Sequence, residues 1–187
     1  MNNQRVLFWK NNMNFGAIAG FGLIAITVIL YFLNIQESFL ASLFFYVVLI
    51  STIVVGTKYL KKIENGRMSY GRALGSGTLI SLFASIIVAV YMFVFLKFID
   101  TDAMQKMYDL MEVKMAEQGL PDEQLEMSLE MAKKFTTPLS ISIMTVFSYT
   151  FWGFLFSLVT SAFLKKKSNG YDAAMAEIEK EINEENK

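Results

Sequence analysis

The chain has no cysteine and no histidine, only two prolines, and no net charge, with 17 basic against 17 acidic residues. Each absence removes a class of function. Without cysteine there is no disulfide, no thiol redox chemistry and no thiolate nucleophile. Without histidine as well, the usual zinc donors and the commonest general base are gone. A balanced charge gives no bulk attraction to nucleic acid, and no phosphate-binding loop or nucleic-acid module is present, so no nucleic-acid partner is expected. Charge is also missing locally, from Asn11 to Gln36, Ser38 to Thr57, Ala73 to Leu96 and Phe135 to Leu164, which together make 100 of the 187 residues.

Those four runs are the main structural signal. A helix needs about 20 mainly apolar residues to cross a bilayer, and a buried soluble helix rarely stays uncharged that long. The expected fold is therefore all-α: a polytopic membrane protein with four transmembrane helices over about 13–34, 38–58, 73–97 and 137–164, within one membrane domain spanning 1–167. The first run follows Arg5 and Lys10 as a signal peptide would. Its apolar core from Phe15 to Leu33 is too long for one, and Asn34 to Glu37 is no small-residue cleavage site, so it is read as a retained helix.

Lysine and arginine at the helix ends set the expected orientation. The link between the second and third spans carries Lys58, Lys61, Lys62, Arg67 and Arg72, and the fourth span runs into Lys165, Lys166 and Lys167, whereas the first turn has none. Both termini are accordingly expected in the cytoplasm. These same eight residues are candidates for contact with anionic lipid headgroups. The segment from Asp100 to Lys134, with nine acids and four lysines, falls outside, although Lys97, Lys133 and Lys134 are basic residues at outer ends.

This outer segment, about 101–135, reads as a helical hairpin. Met104, Met107, Met111 and Met115 repeat at helical spacing, Gly119, Leu120 and Pro121 interrupt, and Leu125, Leu129, Ala132 and Phe135 resume. Thr137 and Pro138 provide a cap and a first-turn proline for the fourth span. After it, residues 168–187 form an acidic amphipathic tail with Tyr171, Met175, Ile178 and Ile182 on one stripe.

Small residues recur every four positions: Gly77, Ser81 and Ser85 in span three, Gly153, Ser157 and Ser161 in span four, and Gly16 and Gly20 in span one. In lipid, where no hydrophobic force draws helices together, such stripes let backbones approach closely. They are read as helix-packing positions inside the bundle, the alternative being an interface with a second copy or another membrane protein. Asn14, Ser51, Thr52, Thr145 and Ser148 put only hydroxyl and amide groups into the spans. Transporters and proton relays normally keep an ionisable group there, and a serine nucleophile needs a base, so no catalytic residue, cofactor or metal site is assigned. Soft thioethers at Met107, Met111 and Met115 have spacing that suits Cu(I), but helix packing accounts for the same pattern.

The segment Gly66-Arg67-Met68-Ser69-Tyr70-Gly71-Arg72-Ala73-Leu74-Gly75 and the exit Phe98-Ile99-Asp100-Thr101-Asp102, followed by a Met- and Glu-rich helix, resemble the domain of unknown function 4199 family, uncharacterised four-helix bacterial membrane proteins found mainly in the Bacteroidota. Thr101 stands where the family pattern has proline. The resemblance implies an inner-membrane protein of four spans and carries no catalytic residues across. The functional expectation is a non-enzymatic structural or accessory subunit that recognises another membrane protein or itself, the alternative being a small-molecule or metal-binding transport component that uses the outer methionines.

Overall fold

The computed structural model describes residues 2–33, 35, 39–64, 68–117, 119 and 121–164, and these are helical nearly throughout. Four helices are long and apolar enough to cross a membrane: α1 (Asn2–Phe32), α2 (Phe39–Ile63), α3 (Tyr70–Val94), which continues through a π-helical turn at Phe95–Ile99, and α6 (Pro138–Leu164). Between α3 and α6 lie two shorter helices, α4 (Asp102–Glu117) and α5 (Asp122–Phe135). The chain is a multi-pass membrane protein.

Helices are the expected outcome where water cannot satisfy the backbone, because every amide and carbonyl must then pair within its own segment. The helices overrun the apolar spans at their charged ends, most clearly in α1, which starts at Asn2 rather than near residue 13. At about 1.5 Å per residue its 31 residues reach well beyond the roughly 30 Å hydrocarbon layer, so the turns carrying Arg5 and Lys10 stand outside it.

The ends are set by local chemistry. The Ser69 side chain accepts a hydrogen bond from the Arg72 amide (3.4 Å) at the start of α3. Thr137 Oγ1 accepts one from the Ser140 amide (3.1 Å) ahead of Pro138, which opens α6. Gly119, with φ of 72°, ends α4 in the left-handed conformation that glycine adopts without a Cβ penalty. At the end of α3 the Asp100 amide donates to the Phe95 carbonyl (2.9 Å), five residues back, which widens the last turn.

α3 is the central helix: it packs against α1, α2 and α6, while α2 and α6 touch each other only lightly. Leu49, Ile53 and Ile80 form one core cluster with Phe15 and Phe156 against it, and Leu60, Met68 and Ala73 form another with Phe8. α4 and α5 pair as a hairpin. Met107, Met111 and Met115 are half-buried on α4 and Met104 is buried, whereas Met127, Met131 and Phe135 on α5 are exposed. The Tyr108 hydroxyl donates to the Thr136 carbonyl (2.7 Å), tying α4 to the foot of α6, and the Tyr31 hydroxyl donates to Asp100 Oδ2 (2.9 Å), tying α1 to the base of the hairpin.

Candidate functional site

The small-residue stripes meet inside the bundle. A Cβ added at Gly77 would run into Ser157 and come 2.9 Å from Ile53, and one added at Gly153 would run into Ser81. Glycine therefore faces serine in both directions across α3 and α6, and one turn further on the Ser85 and Thr150 hydroxyls lie 3.3 Å apart. Ser81, Ser85, Ser157 and Ser161 are all buried. Ser81 returns its proton to the Gly77 carbonyl (3.0 Å), so it presents little polarity to the facing glycine. On the other flank of α3, a Cβ at Gly16 would meet Phe83 and the Ile80 carbonyl, and one at Gly20 would lie 3.2 Å from the Ala84 carbonyl. Gly71, six residues before Gly77 on α3, differs from these: it has open space around it.

Basic residues at the end where α1 begins divide into two groups. Lys61 Nζ donates to the Leu164 carbonyl (2.8 Å), one of the carbonyls a helix C-terminus leaves unpaired, so this cation caps α6. Arg72 forms a forked ion pair with Glu64, with Nε 2.8 Å from both carboxylate oxygens and Nη2 2.6 Å from Oε1, and lies 5.0 Å from the centre of the Phe8 ring. One arginine thus joins α1, the end of α2 and α3. Lys58 and Lys62 are exposed on α2. Arg67, Lys165, Lys166, Lys167 and the 168–187 tail lie outside the described residues.

Loss of the Arg72 pair should be measurable but moderate, because both partners sit at the edge of the bundle. Glu64→Gln should lower stability in detergent by about 1 kcal/mol, and the loss should shrink at high salt. Thermal melts at two salt concentrations check this, and a salt-independent loss would assign the effect to packing.

A layer of buried amides and hydroxyls lies just inward of this cluster. Ser76 Oγ donates to Asn12 Oδ1 (2.6 Å), and Asn11 Nδ2 donates to the Gly56 carbonyl (3.2 Å) and lies 3.4 Å from Asn12 Oδ1. Asn12, Thr57 and Ser76 are at most 1% exposed. Asn11 Oδ1, Asn12 Nδ2, Thr57 Oγ1, Ser157 Oγ and Ser161 Oγ have no hydrogen-bond partner among the described residues. Asn14, the amide expected within the first span, is exposed, whereas the adjacent Asn11-Asn12 pair, two neighbouring amides that open the first uncharged run, is buried.

A second feature missed from sequence is an aromatic cleft where α2 and α6 separate. It holds about 140 Å³ and is lined by Phe45, Tyr46, Leu49, Ser148, Tyr149 and Trp152. Trp152 packs nearly parallel to Phe156 (6.0 Å between ring centres, 27°), and Tyr46 meets both rings edge-on at 5.7 Å. Ser148 and Tyr149 also line a shallower groove of about 480 Å³ that runs along α6 to Ser140, Thr136 and Phe135. The signal in the sequence was the position of Trp152, far from either membrane surface, where an anchoring tryptophan would not sit.

Nothing among the described residues gathers three or more acidic side chains as a metal site would need. No curated protein and no solved structure matches the chain. A family described as a protein of unknown function, DUF4199, matches residues 14–166, which takes in α1 from residue 14 onward, the other three long apolar helices whole, and the hairpin. Its extent over most of the chain means that the protein belongs to the DUF4199 family.

Proposed function

We infer that the protein is a non-enzymatic membrane subunit whose bundle serves as an anchor and whose α4–α5 hairpin is the recognition element for another membrane protein or a second copy. One observation carries the reading. The small-residue faces that serve elsewhere as helix-association sites are turned inward here, while the hairpin shows Met127, Met131 and Phe135, along with Leu110 and Val113, on its open surface. Methionine suits such a surface, since its unbranched, polarizable side chain adapts to an irregular partner.

The test is a photo-crosslinking amino acid placed at Met127 or Met131 in the native membrane. A discrete adduct that disappears when the other exposed methionine is changed to glutamate, with the thermal melt unchanged, supports the reading. No adduct from either crosslinker-bearing protein, together with wild-type protein that purifies as a lone monomer, overturns it.

The proposed orientation places both termini in the cytoplasm and the hairpin outside the inner membrane, as the lysines of α2 favour. With no native thiol to interfere, Lys62→Cys should resist an impermeant maleimide in intact spheroplasts while Gln124→Cys reacts. Both positions are exposed, so access across the membrane is what the labelling reports. The opposite pattern reverses the topology.

Changing Met107, Met111 and Met115 together to leucine should leave the melt within a few degrees of wild type, because the swaps nearly conserve volume on a half-buried face. Stoichiometric Cu(I) on the wild type and none on the triple variant would instead favour the metal-binding alternative.

A further inference from the structure

We propose that the cleft between α2 and α6 is a binding site for a lipid-soluble compound of the quinone class: a single six-membered ring bearing carbonyl oxygens, with an apolar tail. The first support is depth. Ser148 and Trp152 lie ten and fourteen residues along α6 from Pro138, or about 15–21 Å at the helical rise, which puts the cleft near the middle of a hydrocarbon layer about 30 Å thick. Phospholipid headgroups and ester carbonyls stay at the two surfaces. They cannot satisfy a polar group held at that depth.

Two such groups are present. Ser142, Thr145 and Thr160 on α6 each return their hydroxyl proton to a carbonyl one turn earlier, at 2.7–3.0 Å. The Ser148 hydroxyl lies on the exposed side of the same helix, and among the described residues neither it nor the Tyr149 hydroxyl beside it has a hydrogen-bond partner. A hydroxyl in hydrocarbon without a partner is costly, so the occupant of the cleft should bring hydrogen-bond acceptors with it.

Shape narrows the class. A cavity of about 150 Å³ accepts one benzene ring, and this cleft, at about 140 Å³, has the same capacity. It is too narrow for a helix, whose diameter with side chains is about 10 Å, so a neighbouring copy could only cover its mouth. Trp152 and Tyr46 supply aromatic walls for offset or edge-on packing of a planar ring. The groove toward Ser140, Thr136 and Phe135 continues from the same two residues, Ser148 and Tyr149, and provides an apolar path for a tail toward the hairpin end. The furrow on the other side of α6, against α3, has Ser142 as its only hydroxyl, already bonded to Pro138, and so lacks free donors.

The full chain should be tested in nanodiscs in a Trp9→Phe background, which leaves Trp152 as the only tryptophan; Trp9 is about half exposed, so this change disturbs little. A decyl-substituted benzoquinone should quench the remaining fluorescence saturably. Decylbenzene, with the same tail but no carbonyls, should compete at least about tenfold more weakly. Ser148→Ala with Tyr149→Phe should weaken binding by about tenfold or more at an unchanged melting temperature, as loss of two hydrogen bonds predicts, while Phe93→Leu in the opposite furrow should leave it unchanged. Linear, non-saturable quenching would overturn the proposal, as would equal affinity for wild type and the double variant. A dimer crosslinked through Phe151→Cys, exposed on α6 and outside the cleft lining, whose yield is not lowered by adding the quinone beforehand would give the cleft to a second copy and overturn it as well.

Discussion

Replacing Ser81 by leucine is expected to lower the melting temperature in detergent by about 10 °C, while leaving the protein's oligomeric size unchanged. Ser81 is wholly buried, and its side chain occupies the space that Gly153 leaves on the facing helix. A leucine would have to enter the backbone of α6 or push that helix away, and overpacking typically costs about 1–3 kcal/mol before lost contacts along the rest of the stripe are counted. For a chain of this size each kcal/mol moves the melt by roughly 2–4 °C. The contact is reciprocal, which provides a sharper version of the test. Ser81→Gly and Gly153→Ser should each destabilise, the first by leaving a void and the second by a clash, and the two together should recover most of the loss by moving the hydroxyl from one helix to the other. Leu82→Ile, on a different face, and Gly71→Ala, in open space, should both be near neutral. If Ser81→Leu keeps full stability but abolishes an oligomer or a co-purifying partner, the stripe is an interface and not part of the internal bundle.

How much of this was legible in the sequence follows from how far each interaction reaches along the chain. The long helices were legible because an uncharged run of that length has one common physical meaning, and the hairpin because Gly119 and Pro121 interrupt two helical patterns. The four-residue spacing of Gly77, Ser81, Gly153 and Ser157 marked them as contact residues, but spacing says nothing about which helix faces which. That α3 is central, and that its glycine meets a serine of α6, depends on pairings 72 to 80 residues apart. Charge was the least legible. Lys61 and Arg72 read as residues that orient the protein or touch lipid, and their positions along the chain did not show that one also caps α6 and the other is also held by Glu64 and Phe8, because folding brings three helix ends to the same place. The π-helical turn at Phe95–Ile99 had no local signature at all; a stretch apolar except for Lys97 widens there just before Asp100 is held by Tyr31.

Asn12→Leu is expected to destabilise the bundle by about 1–2 kcal/mol, near the upper end of what single interhelical hydrogen bonds contribute in membrane proteins. The substitution removes the acceptor for the Ser76 hydroxyl and a neighbour of Asn11 Nδ2, and leaves Ser76 facing leucine in a fully buried position. Adding Ser76→Ala takes away the stranded hydroxyl, and removing both partners of a buried pair is often nearly neutral. The wild-type layer also carries an Asn12 Nδ2 group without a partner, so the double variant discards an unpaired donor along with the bond. It should therefore melt at or above the wild-type temperature, and a double variant as unstable as Asn12→Leu alone would show that the asparagine supports more than Ser76. The same pair of variants separates stability from function. Evolution has no structural need for a polar layer that two apolar residues replace without loss, and the buried Asn11 amide and Thr57 hydroxyl make the layer larger than one bond requires. Cells carrying a stable Asn12→Leu, Ser76→Ala protein with wild-type behaviour would mark the layer as dispensable packing, whereas a phenotype at full stability would make it a working part of the protein.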